Sequence, residues 1–158
     1  MNGWSARLGL ALGAVAAIAG LGAAGAWWWL RSAPAAIDPD DPAQVALGQR
    51  VYGESCAQCH GARLEGQPDW RERLPNGRLP APPHDADGHT WHHPDKVLFD
   101  ITKLGLTPFA PAGYESDMPA YEGVLTDAET RAVLAYIKST WPPQIRERQT
   151  RTDREAQR

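Results

Sequence analysis

Cys56-Ala57-Gln58-Cys59-His60 is the stretch whose reading decides the fold. Two thiols separated by two residues lie on one edge of a short turn, at the separation of the two vinyl groups of a haem. An imidazole directly after the second thiol reaches under the iron, so the five residues together read as a covalent haem-attachment site. Without His60 the pair would be ambiguous, because dithiol enzymes and zinc sites use the same spacing. A zinc site needs a further ligand from distant histidines, and a thioredoxin-like domain needs strands that the sequence does not offer. These are the only cysteines in the 158 residues, so a disulfide scaffold is not indicated.

Working outward, the residues before the motif read as a helix. Asp41 is placed to cap it, Pro42 suits its first position and Gln44 is placed to complete a capping box. Val45, Ala46, Leu47, Val51 and Tyr52 give an apolar side, and Gly53 is a candidate end before the cysteines. Residues 61–93 are rich in proline, glycine and polar side chains and read as loop. So long a loop argues against a compact domain unless it wraps a large rigid object, which a haem is. A short helix is expected over residues 94–104, with Leu98 and Ile101 inward and Gly105 as its C-cap. The final helix of the core is signalled most strongly: Thr126 and Glu129 form a capping box, Val133, Leu134, Tyr136 and Ile137 line one side, and Pro142-Pro143 stops it.

Met118 is the only methionine besides the initiator, 58 residues after His60 in an irregular segment before that helix. A methionine filling a core would sit on a helix face, whereas Asp117-Met118-Pro119 is polar and turn-like. Pro119 restricts Met118 to extended conformations, which helps aim its sulfur. His60 and Met118 are therefore the expected axial ligands of the haem iron, and a thioether ligand raises the reduction potential.

With these residues in place, the chain resembles the class I (mitochondrial-type) cytochromes c in their small bacterial membrane-anchored form. The resemblance covers residues 43–141. It rests on Gly48 and Tyr52, on Cys56-Ala57-Gln58-Cys59-His60-Gly61, on Met118-Pro119-Ala120-Tyr121, and on Leu134-Ala135-Tyr136-Ile137-Lys138. It implies an all-α haem domain of about three to four helices with long loops, one covalent haem c, and single-electron transfer between respiratory partners rather than catalysis. It also implies that the first and last helices cross with Gly48 and Tyr52 against Val133 and Tyr136. A proline carbonyl, from Pro80, Pro82 or Pro83, would orient His60. Tyr52 and Trp91 are candidates for the haem surroundings.

Residues 8–30 form an uncharged run of 23 residues ending in Trp27, Trp28 and Trp29 and bracketed by Arg7 and Arg31. As a helix it would span roughly 34 Å, enough for a hydrocarbon core of about 30 Å. The expected organisation is a cytoplasmic segment (1–7), a transmembrane anchor (8–30), a linker (31–40), a cytochrome c domain (41–143) and a charged C-terminal tail (144–158), mobile or partly helical. A cleaved secretory leader is the competing reading of the apolar run. Haem c is attached outside the bacterial cytoplasm, so the domain is expected in the periplasm on a single-pass inner-membrane anchor.

Residues 38–143 hold nine Lys/Arg against sixteen Asp/Glu, which suits steering toward a basic partner and excludes a nucleic-acid-binding stripe. One feature exceeds the family pattern: His84, His89, His92 and His93 fall within ten residues. They invite an accessory copper site or an alternative iron ligand, or they line the haem edge. Two competing functions follow, a haem catalyst or sensor with an open sixth position and a metal-handling module.

Overall fold

Five α-helices and two 3₁₀ turns make up residues 36–158, the part that the computed structural model describes; the expected anchor and cytoplasmic segment lie outside it. Helix α1 is Pro42–Ser55, α2 Ala57–His60, α3 Asp95–Leu104, α4 Asp127–Ser139 and α5 Pro143–Ala156. Among the described residues there is no strand, and no helix is long and apolar enough to cross a membrane. The all-α architecture is as expected, with one helix more than the three to four foreseen.

Local chemistry sets the boundaries. Asp41 accepts the backbone N–H groups of Ala43 and Gln44, and Pro42 occupies the first turn of α1. Gln44 does not complete a capping box: its side chain instead takes the Asp38 N–H at 2.7 Å and donates to the Ala36 carbonyl at 3.0 Å, holding the incoming chain. Nor does Gly53 end α1, which runs on to Ser55 because Gly53 adopts no left-handed conformation and meets nothing. Gly105 does end α3, at φ 78°. The Thr126–Glu129 capping box of α4 forms in full, and Pro143 both stops that helix and starts α5.

Helices α1 and α4 share the most extensive interface in the fold. Its tightest point is Gly48, where an added Cβ would meet the Ala132 carbonyl oxygen at 1.9 Å and the Tyr136 Cβ at 2.9 Å. Gly48 thus opposes the backbone at Ala132 rather than the Val133 side chain. Tyr52 packs on Tyr136 as expected, with ring centroids 5.5 Å apart. Around this crossing Val51, Tyr52, Leu64, Leu98, Val133, Leu134, Ile137 and Trp141 form one buried cluster. Each such side chain contributes about 1.5–3 kcal/mol by leaving water.

Of the two readings of the C-terminal segment, mobile or partly helical, the helical one holds: it is a 14-residue helix packed on the domain. Ile145 is its one bulky apolar contact; the rest is polar. Gln149 is fully buried and donates to Asp95 at 2.6 Å, Asp153 accepts the Asp95 N–H at 2.9 Å, and Arg146 pairs with Asp40 at 2.6 Å.

Candidate haem site

The end of α1 runs almost directly into α2, which carries the motif. The Cys56 N–H still donates to the Tyr52 carbonyl, and the N–H groups of Cys59 and His60 donate to the Cys56 carbonyl. One continuous turn therefore fixes both thiols and the imidazole. Cys56 is half-buried, Cys59 is exposed, and neither is in a disulfide. Burial, and then the neighbouring Cys59, push the Cys56 thiol up to about 11. A reactive dithiol needs a thiol lowered toward neutrality, and the surroundings of Cys56 act in the opposite direction.

His60 is 8% exposed, and its Nδ1 lies 2.8 Å from the Pro82 carbonyl oxygen. A carbonyl only accepts, so Nδ1 carries the proton and Nε2 keeps its lone pair, as an iron ligand must. Burial holds the imidazole below the ordinary histidine value, with the Pro82 bond pulling weakly the other way. The ring is thus neutral, oriented and beside two free thiols, and the residues fit a covalently attached haem. Of the three prolines left open by the sequence, Pro82 is the one in contact.

The loop after the motif is held by an unusual residue. Leu64 is buried at φ 70°, a left-handed conformation costing a branched side chain roughly 1–2 kcal/mol. Its carbonyl accepts the His84 N–H at 2.8 Å and its side chain joins the core, which together offset that strain. Tyr52 closes the same turn from below, its hydroxyl donating to the Gly61 carbonyl at 2.8 Å.

Met118 is half-buried in the irregular segment before α4, and its N–H donates to Ser116 Oγ at 3.1 Å. Three residues on, the Tyr121 hydroxyl donates to the Ser55 carbonyl, next to Cys56. The Tyr121 N–H donates to the Thr102 carbonyl. The methionine segment is thereby tied to the residue preceding the attachment site. Arg78 reaches across from the other loop to Glu115 and Asp117, immediately before Met118.

The four histidines do not form a cluster. His84 stacks flat on His60 at 4.0 Å, His89 stacks on Trp70 at 5.3 Å, and His92 stacks on Trp91 at 3.7 Å, with His93 edge-on to His89. Among the described residues no group of three or more His, Cys, Asp or Glu comes together to hold a metal ion, so the expected accessory copper at His84, His89, His92 and His93 finds no support. Trp91 is half-buried against the core and donates from Nε1 to the Ala86 carbonyl at 3.3 Å. Sequence reasoning passed over Trp141, which is 3% exposed and donates from Nε1 to the His84 carbonyl at 2.7 Å. The aromatic just after a helix, ahead of a Pro-Pro stop, was the available signal.

Comparison with known proteins agrees with this geometry. A family model described as cytochrome c matches residues 45–141. A stretch of 54 residues, 34% of this chain, is 37% identical to the Cbb3-type cytochrome c oxidase subunit CcoP of Rubrivivax gelatinosus. That stretch covers 18% of the subunit's length. No solved structure matches the chain.

Proposed function

The chain belongs to the cytochrome c family and carries covalently bound haem c, and we propose that it is a membrane-anchored shuttle passing single electrons between respiratory redox partners. When bound, haem c supplies an iron that takes up and gives back one electron. Cys56 and Cys59 are the attachment thiols, His60 is the proximal ligand, and Met118 is the distal one.

The observation that carries the reading is the Pro82 carbonyl on His60 Nδ1, which leaves Nε2 free to ligate beside two unpaired thiols. Burial of the ring keeps it neutral at physiological pH, so ligation does not compete with protonation. The Tyr121 tether and the Ser116 contact hold the Met118 segment, which suits a ligand that stays in place through both redox states. A carrier needs this constancy, because any ligand exchange would add reorganisation to each transfer. Residues 8–30 form the anchor, with the haem domain in the periplasm. Likeness to an oxidase subunit favours a partner within a respiratory complex.

The oxidised protein, purified from membranes, is expected to show the weak near-red Met–Fe(III) charge-transfer band. Met118→Ala should lose the band with haem still attached. A native protein without the band, binding carbon monoxide readily when reduced, would instead be a catalyst or sensor with an open sixth position.

A further inference from the structure

His84 is held on three sides and presents a flat face to His60. Its N–H donates to the Leu64 carbonyl at 2.8 Å, and its carbonyl accepts the Trp141 indole N–H at 2.7 Å. Its Nδ1 lies 2.8 Å from the hydroxyl oxygen of Thr90, itself 6% exposed. The imidazole so fixed lies over the His60 ring, centroids 4.0 Å apart and planes inclined by 25°. The Tyr52 ring also meets His84 edge-on, with centroids 6.4 Å apart.

An imidazole bound through Nε2 has two soft motions, a tilt of the ring and a rotation about the axis through Nε2 and the ring centre. The hydrogen bond from Nδ1–H to the Pro82 carbonyl restrains the tilt, because it fixes the far end of the ring. That bond points off the axis and Cγ is tied to Cβ, so rotation is restrained but some freedom is left. A second aromatic plane pressed on the ring removes that freedom, since turning His60 would drive its edge into His84.

We propose that His84 is a positioning residue that sets the rotational orientation of the proximal His60 imidazole, with Thr90 as its anchor. This gives the histidine-rich segment a role that does not involve binding a metal. Thr90 is buried and His84 half-buried, whereas His89 and His92 are exposed and stack on tryptophans. Parallel stacking lets His84 act without intruding on Nε2, because it covers the face of the ring and not its coordinating edge.

The proposal rests on reading His60 as an axial ligand, and the two fail in different ways. In the oxidised full-length protein, paramagnetic NMR first asks whether one histidine ring gives strongly hyperfine-shifted signals; their absence overturns both. With that ligand present, the order and spread of the haem methyl resonances, and the rhombic splitting of the low-spin EPR signal, report the orientation of the imidazole plane. His84→Leu, which fills the space without a flat ring, should reorder the methyl resonances and change the splitting, with the near-red band retained. Thr90→Val keeps the fold's shape and removes only the anchor, so it should move both signals the same way by less. Thr90→Ser should restore the wild-type pattern. Methyl shifts and EPR splitting unchanged in both His84→Leu and Thr90→Val would overturn the proposal.

Discussion

Lys138 Nζ donates to both carboxylate oxygens of Asp95, at 2.6 and 2.7 Å, and so joins the end of α4 to the start of α3. The Lys138 side chain is 9% exposed and that of Asp95 21%. Gln149 of α5 donates to the same carboxylate. Removing the lysine leaves a largely desolvated charge with one amide for company, and breaking such a pair costs about 2–4 kcal/mol once partial exposure is allowed for. Lys138→Met should therefore lower the urea midpoint of the haem-loaded protein clearly. Asp95→Asn/Lys138→Met should recover part of the loss, because no uncompensated charge remains. A double variant as unstable as the single one would show that the lysine acts through packing alone.

Gly48 allows the α1–α4 crossing through absence of a side chain. In an unconstrained helix Gly→Ala would stabilise by about 1 kcal/mol. Here the new methyl would lie 1.9 Å from a backbone oxygen, which no rotamer change relieves. The helices must move apart, and overpacking of this kind typically costs about 1–3 kcal/mol or more. Gly48→Ala is expected to destabilise, with the sign opposite to helix propensity, as read by chemical denaturation. Gly53→Ala supplies the control, since its added Cβ meets nothing and should be neutral or stabilising.

The acid limb of stability should depend on Glu129. Backbone and hydroxyl hydrogen bonds from Thr126 hold its carboxyl below the ordinary glutamate value of 4.5. A depressed carboxylate adds stability above its unfolded value, and that stability is lost as pH falls through the lower folded value. Glu129→Gln should flatten the stability profile below about pH 4.5, leaving its shape near neutrality unchanged. Thr126→Ala removes the cap itself and should cost about 1 kcal/mol near neutrality, and less in the acid range, where the Glu129 carboxylate that the hydroxyl also meets is protonated. A Glu129→Gln profile parallel to wild type through the acid range would contradict the sign argued here.

Most of what was legible in the sequence is settled within a few residues, the Gln44 capping box and the Gly53 helix end being local readings that failed. The Asp41 and Thr126 caps, the Gly105 terminus and the Cys56–His60 turn all depend on neighbours along the chain, and each is found where local rules place it. What was not legible depends on partners far away. Helix α5 has too few apolar residues to show an inward face; it is held by Gln149 and Asp153 meeting Asp95, more than fifty residues earlier. The choice of Pro82 over Pro80 and Pro83 is likewise a matter of where the long loop returns. Spacing left the histidine-rich segment open between an accessory copper site, an alternative iron ligand and a lining of the haem edge, because it cannot reveal that His84 faces His60, His89 faces Trp70, His92 faces Trp91 and His93 faces His89.

Arg78 links the two loops that carry the proposed ligand supports. It stands four residues before Pro82, which holds His60, and its guanidinium meets Glu115 at 3.1 Å and also Asp117, adjacent to Met118. Both carboxylates raise the already high guanidinium value further, Asp117 foremost. Nearby, Arg73 lies over the Tyr114 ring at 5.7 Å, a second tie between the same loops. Exposed ion pairs contribute little, so global stability should barely change in Arg78→Gln. Local opening of the methionine loop is a smaller equilibrium and should respond visibly. Hydrogen exchange at residues 114–118 is expected to accelerate about two- to fivefold. On the proposed ligation by Met118, the near-red band should also weaken, because the loosened loop holds that residue less firmly. Glu115→Gln should act in the same direction and add little to Arg78→Gln, since its one contact is among the two that Arg78→Gln already removes. Equal exchange rates in all three proteins would mean that the loop is held without Arg78, by the Tyr121–Ser55 tether and the Ser116 turn alone.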